Sequence, residues 1–155
     1  MGGFGQKYHE PALNAVRVVA GLLFMTHGGQ KLFGWFGAES AAAGVWPMGV
    51  AGVLEFAGGL LIAAGVFTRP VAFVVCGEMA VAYFWGHVAR SGSLWPWANR
   101  GELALLFCLV WLVMWTSGGG SWQVQEWLRK RKAGAEVVRE ERPSRRAGAA
   151  VFRGG

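Results

Sequence analysis

The chain has 155 residues, of which 54% are hydrophobic and only 15% charged, with 25 Gly and 9 Trp. That length allows one domain, and the composition excludes an ordinary soluble one, being too apolar and too rich in glycine. The net charge of +6 is uneven, because most Lys and Arg follow residue 128 in a tail that opens Arg129-Lys130-Arg131-Lys132. A basic tail beside apolar helices suits an anionic lipid surface, and no nucleic-acid-binding signature accompanies it, so nucleic acid is not an expected partner.

Four apolar stretches follow a short polar start at residues 1–11. They lie at about 12–33, 48–67, 70–88 and 101–117. Each is long enough, at 1.5 Å per residue, to cross a hydrocarbon core about 30 Å thick, the shortest with local thinning. Hydrocarbon cannot solvate free backbone groups, so the stretches are expected to be helices, and they lack the polar stripes a soluble bundle needs. The expected fold is therefore all-α, a four-transmembrane-helix bundle over 12–120. The first stretch is too long for a signal-peptide core and contains Arg17, His27 and Lys31, so it reads as an uncleaved span. Gly34 to Pro47 separates the first two spans, and Thr68-Arg69-Pro70 turns tightly into the third. Trp35, Trp46, Trp85, Trp95, Trp97, Trp115 and Trp122 fall near the expected ends, as an aromatic belt requires.

Gly118-Gly119-Gly120 ends the fourth stretch. Beyond it, 121–132 reads as a short amphipathic helix on the membrane surface, with Trp122, Val124, Trp127 and Leu128 on one side and a basic end. From Ala133 on, no helix-length apolar pattern remains, and a disordered tail over 133–155 is expected. Lys7, Arg69 and the basic tail fall on one side of a four-span layout. The positive-inside rule then places both termini in the cytoplasm of a bacterial-type inner membrane.

Ionisable residues within the spans carry the functional signal, since a charge near the bilayer centre costs at least about 2.5–3.5 kcal/mol. Arg17 and Glu78 lie at similar depths in the inner half, and they read as a structural intramembrane ion pair that fixes helix order. A second set gathers in the outer half. His27 and Lys31 are one turn apart, Glu55 lies well inside the second span, His87 ends the third, and Asn99 and Glu102 open the fourth. Histidine titrates near neutrality, so His27 with Glu55 suits proton exchange with a quinone-type oxygen, while Lys31, His87, Asn99 and Glu102 suit binding it. The plainer alternative has His27 and Lys31 snorkelling to the interface and Glu102 favouring a helix N-terminus. Each pair of spans also shares a loose plan, with His ending the first helix and Glu on the second, which is weak evidence of a repeat. Gly21 and Gly28, and Gly52, Gly58 and Gly59 around Glu55, predict close helix packing.

Dinucleotide, P-loop and zinc-protease motifs are absent from the sequence. Cys76 and Cys108 lie in apolar stretches without metal or redox spacing, and they read as small buried side chains. No metal site and no intrinsic cofactor is expected.

The stretches RVVAGLLFMTHGGQKLFGWFG, LEFAGGLLIAAGVFTRP, FVVCGEMAVAYFWGH and NRGELALLFCLVWLVMWTSGGGSW together resemble the DoxX family over about residues 12–128. The ordered His-Gly-x-x-Lys, Glu-x-x-Gly-Gly, Thr-Arg and Gly-Glu elements carry that resemblance. It implies a four-helix inner-membrane protein, linked in some relatives to quinone-dependent oxidoreductases and to redox or thiol-stress complexes. By position it maps His27, Lys31, Glu55, Glu78 and Glu102 onto the family's recurring polar sites. A Ser-x-Asp common after the glycines is replaced here by Ser121-Trp122-Gln123. The expectation is a quinone-linked membrane subunit that takes electrons from a soluble or membrane partner, with a membrane quinone as ligand. The alternatives are a non-enzymatic anchor for a soluble partner and a small-molecule transporter, the latter requiring a homo-oligomer.

Overall fold

The computed structural model describes residues 4–42 and 44–141, and all the regular structure among them is helical. Helix α1 spans Phe4–Phe33 and ends on Gly34 in the left-handed region, followed by a 3-10 turn at Trp35–Gly37. Helix α2 spans Met48–Ala64, and α3 runs from Thr68 to Ser91 with a π-helical segment at Ala82–Val88. A short α4 at Pro96–Asn99 leads into α5, Glu102–Ser117. Helix α6, Val124–Glu141, belongs to a separate compact unit that begins at Val124.

Two sequence expectations are corrected at the chain's ends. Helix α1 begins eight residues before the expected span, and it carries an exposed Pro11. Helix α6 starts after Gln123 and continues to Glu141, through residues expected to be disordered. Ala133, Ala135, Glu136, Glu140 and Glu141 are good helix formers, and no proline intervenes before Pro143. Residues 142–155, the rest of the expected disordered tail, lie outside the described residues. Within α6, Val124, Trp127 and Leu128 recur at helical spacing, Glu126 pairs with Arg129 at 3.0 Å, and Arg131 stacks over Trp127 at 4.5 Å.

Helices α1 and α2 pack antiparallel with almost no space between them. A Cβ on Gly28 would lie 2.3 Å from the Phe56 amide nitrogen, one on Gly21 2.8 Å from that of Ala63, and one on Gly59 2.4 Å from that of Met25. Only glycine permits this approach, so the expected packing role is met by backbone against backbone. Helices α3 and α5 form a second antiparallel pair, with Cys76 Sγ 3.6 Å from Cys108 Sγ and Arg69 donating to Trp115 O at 3.0 Å and Thr116 O at 2.6 Å. Across the two pairs, Phe24 packs on Phe107 and Trp111 with ring centroids 5.1 Å from each.

The outer surface is unlike that of a soluble protein, and several polar side chains lie inside with the apolar core. Asn14, Arg17, Glu55, Thr68 and Asn99 are buried, whereas Val19, Leu23, Leu60, Phe73, Phe84, Leu106 and Leu109 are among many large apolar side chains left exposed. Water would penalise such an outer surface by roughly 25 cal/mol per Å². By length and composition, α3 is the one described helix apolar and long enough to cross a membrane, while α2 and α5 are apolar but shorter, at 17 and 16 residues.

Arg17 does not pair with Glu78. Its Nε donates to Gly119 O at 2.7 Å, Nη1 to Ile62 O at 2.8 Å and Ala63 O at 2.6 Å, and Nη2 to Trp122 O at 2.5 Å. The guanidinium thus sits on the carbonyl end of α2, where the helix dipole is negative, and ties the 118–123 segment to it. Gly65 leaves α2 with φ of 70°, and a Cβ there would come within 2.9 Å of Arg17 Nη1. Asn14 continues the clasp, accepting from the Trp122 amide at 3.0 Å and donating to Ser121 Oγ at 3.4 Å. The expected similar depth is not met: Arg17 sits level with the end of α2, whereas Glu78 lines a cavity toward the other end of the bundle.

Replacing Arg17 with Met, of similar reach but without donors, is expected to destabilise the bundle by about 3 kcal/mol or more. Lys is expected to rescue only in part, since one ammonium cannot reproduce the planar fork. Thermal unfolding of the detergent-solubilised protein checks this, and a Met variant melting with the parent would contradict the clasp.

Candidate functional site

A cavity of about 540 Å³ lies between the two helix pairs, toward the end of the bundle opposite Arg17. Helix α1 supplies Phe24, His27 and Lys31, α2 supplies Leu54 and Glu55, α3 supplies Glu78 and His87, and α5 supplies Ala104 and Phe107. The walls are mainly apolar, with ionisable groups converging from three helices. Exposed Trp46 and Trp85 stack at 5.7 Å and form part of the rim, together with Arg90 and Arg100.

Lys31 Nζ pairs with Glu55 Oε1. The Glu55 side chain is 3% exposed and that of Lys31 30%, so the carboxylate is deep and the ammonium stands nearer the edge. Helix α2 brings Glu55 here because its glycines let α1 approach closely enough for the pair to form; the Gly52 Cβ position lies 3.0 Å from Lys31 Cβ. The snorkelling alternative for Lys31 therefore gives way to a defined ion pair. Glu55 Oε2 and Glu78 Oε2 are both buried with no hydrogen-bond partner among the described residues. Glu78 is within electrostatic reach of Glu55 and Lys31.

His27 Nδ1 lies 3.1 Å from Gln30 Oε1, and its ring meets Phe107 edge to face at 5.9 Å. Oriented in this way, its other ring nitrogen remains for the cavity. His87 lies in the π-helical segment, and its Nδ1 is 3.1 Å from Asn99 O. The wider π turn is a common device at functional sites, and here it carries Trp85, Gly86 and His87 to the cavity wall. No sequence pattern announced it.

Among the expected site residues, His27, Lys31, Glu55 and His87 come together around this cavity. Asn99 and Glu102 do not line it. The Asn99 side chain is spent on its own turn, accepting from the Gly101 amide at 2.7 Å and donating to Ser93 O at 3.0 Å, so it positions His87 through its backbone only. Glu102 is exposed in the first turn of α5, as the helix-terminus alternative had it. Glu78, expected as Arg17's structural partner, belongs to the cavity instead. Phe24 and Phe107 were unforeseen as lining. Their spacing from His27 and from Glu102 was visible, but only the assembled bundle shows which faces meet.

A helical bundle with buried carboxylates in an otherwise apolar interior and with an apolar exterior defines the class: a membrane protein with an internal ionisable site. The DoxX family model matches residues 12–88. An uncharacterized protein of Haemophilus influenzae is 41% identical over 120 residues, covering 75% of this chain and 90% of that relative. The chain belongs to the DoxX family and is a membrane protein of that family. No solved structure matches it.

Lys31→Met is expected to cost about 2 kcal/mol, because it leaves the Glu55 carboxylate buried and unpaired, with some relief from the partly exposed position of the lysine. Adding Glu55→Gln should recover most of that loss in a double-mutant cycle on thermal stability. Additive losses would mean that the two side chains do not act as a pair.

Proposed function

We propose that this protein is a quinone-linked redox or thiol-stress subunit of the inner membrane, crossing it four times and working with an electron-donating partner. The observation that carries the reading is the Lys31–Glu55 ion pair at the wall of an apolar cavity. A buried carboxylate paired in this way costs stability that a packing residue would not, which favours a chemical role. The cavity's volume falls in the range of small-molecule sites, and its aromatic and apolar walls with a few converging polar groups fit a quinone ring. His27 and Glu55 would exchange protons with the ring oxygens, Lys31 and His87 would bind and orient them, and Phe24 and Phe107 would exclude water. A quinone supplies two-electron redox chemistry when bound, and its electrons would come from the partner, since none of these side chains carries them.

The layout is supported by the antiparallel order of α1, α2, α3 and α5 and by their exposed apolar faces. Arg69 lies at the same end as the Arg17 clasp, so the positive-inside rule assigns that end to the cytoplasm. Sealed inside-out vesicles treated with protease should therefore lose both chain ends, and right-side-out vesicles should lose neither. Cleavage of the two ends from opposite faces would overturn the four-span layout.

An anchoring role is a second reading, favoured by the separate basic, amphipathic α6. A truncation that tests it must follow Gln123, because Ser121 and Trp122 are held by Asn14 and Arg17. Loss of partner recovery with quinone binding intact would favour the anchor.

Glu55→Gln is expected to lower quinone-dependent turnover of the native-membrane complex tenfold or more at unchanged protein level. Turnover equal to the parent's would remove Glu55 from the mechanism.

A further inference from the structure

Cys76 and Cys108 lie outside the cavity, on the facing sides of α3 and α5. They are 32 residues apart, so no sequence motif marks them, yet their sulfurs stand 3.6 Å from each other. Each thiol also reaches the other's backbone: Cys76 Sγ is 3.3 Å from Cys108 O, and Cys108 Sγ is 3.5 Å from Cys76 O. That reciprocity sets the two residues level and directly opposed. A disulfide holds its sulfurs about 2.05 Å apart, so closing this pair asks each sulfur to move by less than about 1 Å.

Both cysteines were expected as small buried side chains, but both are half-buried. On the same two helices Val75, Ala104 and Trp111 are fully inside, while Phe73, Val74 and Leu109 are exposed. The thiols thus sit at the edge of the helix contact, near the middle of α5 and among lipid-facing side chains, and a reagent that meets them arrives through hydrocarbon. We propose that Cys76 and Cys108 form a redox modification site, a dithiol that a lipid-soluble organic hydroperoxide converts to an intramolecular disulfide joining α3 to α5. One sulfur attacks the terminal peroxide oxygen and the O–O bond breaks. Its proton passes to the other oxygen, which leaves as the alcohol, and a sulfenic acid remains. The second sulfur attacks the sulfenic sulfur, and its proton departs with the hydroxyl group as water. The two sulfurs lose two electrons and the peroxide gains them, with no charged species left in the lipid. The pair needs nothing from the cavity, so it stands whether or not a quinone binds there.

The test treats the full chain in lipid nanodiscs with cumene hydroperoxide, then unfolds it in detergent with N-ethylmaleimide. The expected product joins the Cys76 and Cys108 peptides, two hydrogen atoms lighter than their sum, and neither cysteine takes up maleimide. Its melting temperature should rise by about 5 °C or more, because the link constrains the unfolded chain, and tributylphosphine should restore both thiols. Cys108→Ser should form no such link and show no such rise. Oxidised glutathione, charged and kept out of hydrocarbon, should leave both thiols open to maleimide. A parent protein whose two thiols both take up maleimide after the hydroperoxide overturns the site and leaves the cysteines as packing residues. Disulfides formed only between chains overturn the intramolecular pairing. Oxidation by oxidised glutathione as fast as by the hydroperoxide overturns entry through the lipid.

Discussion

The bundle depends on one guanidinium. Arg17 is almost wholly buried, and it is satisfied by four backbone carbonyls drawn from the end of α2 and from the chain after α5. Five fixed N–H donors in a plane can bridge such separated acceptors, which no other side chain can do. Around it, the glycines at 65 and 119 keep the backbone close enough to be reached. The contact closes the chain, because it joins the first helix to the segment that follows the last one in the bundle. It also frees Glu78 from the inner half, so that both membrane-buried carboxylates serve the cavity at the other end.

The second constraint is the solvent. With lipid outside, burying apolar side chains gains little between helices, and association rests on close packing and on polar contacts. The α1–α2 contact, glycine backbone against backbone, answers the first requirement. Asn14, Arg17, Thr68 and Glu55, all buried, answer the second. The same logic explains why so small a protein can hold a cavity: the helix pairs α1–α2 and α3–α5 are each tightly joined, and the space is left between them.

Much of this was legible from residue type and spacing. The apolar stretches located α2, α3 and α5 to within a few residues, and His27, Lys31 and Glu55, with one helical turn between the first two, line one cavity. Depth counted from the apolar stretches alone is coarse, however: Arg17 sits at the carbonyl end of α2 and Glu78 on the cavity beyond it, so the two do not meet. The buried positions of α1 include Asn14, Arg17, Gly21, Phe24 and Gly28, a single face with two polar residues among the small and apolar ones. In water such a face would point outward; in lipid it points in, and reading it that way would have turned Arg17 toward α2. The π-helical turn at His87 and the Asn99 turn depend on contacts between distant segments and left no periodic trace. Helix α6 outran its expected end because apolar spacing was sought where Ala and Glu alone sustain a helix.

The manner in which Arg17 is satisfied has an electrical consequence. Lys31 is neutralised by Glu55, but Arg17 meets only carbonyl dipoles among the described residues, and its unit of charge stays at its end of the bundle. In an energised bilayer each elementary charge feels about 2.3 kcal/mol per 100 mV across the full thickness, in proportion to the fraction of the field it crosses. Reversing the molecule would carry that charge against the field. The resting voltage itself therefore acts to hold the guanidinium end toward the negative compartment, adding to whatever the exposed basic residues contribute.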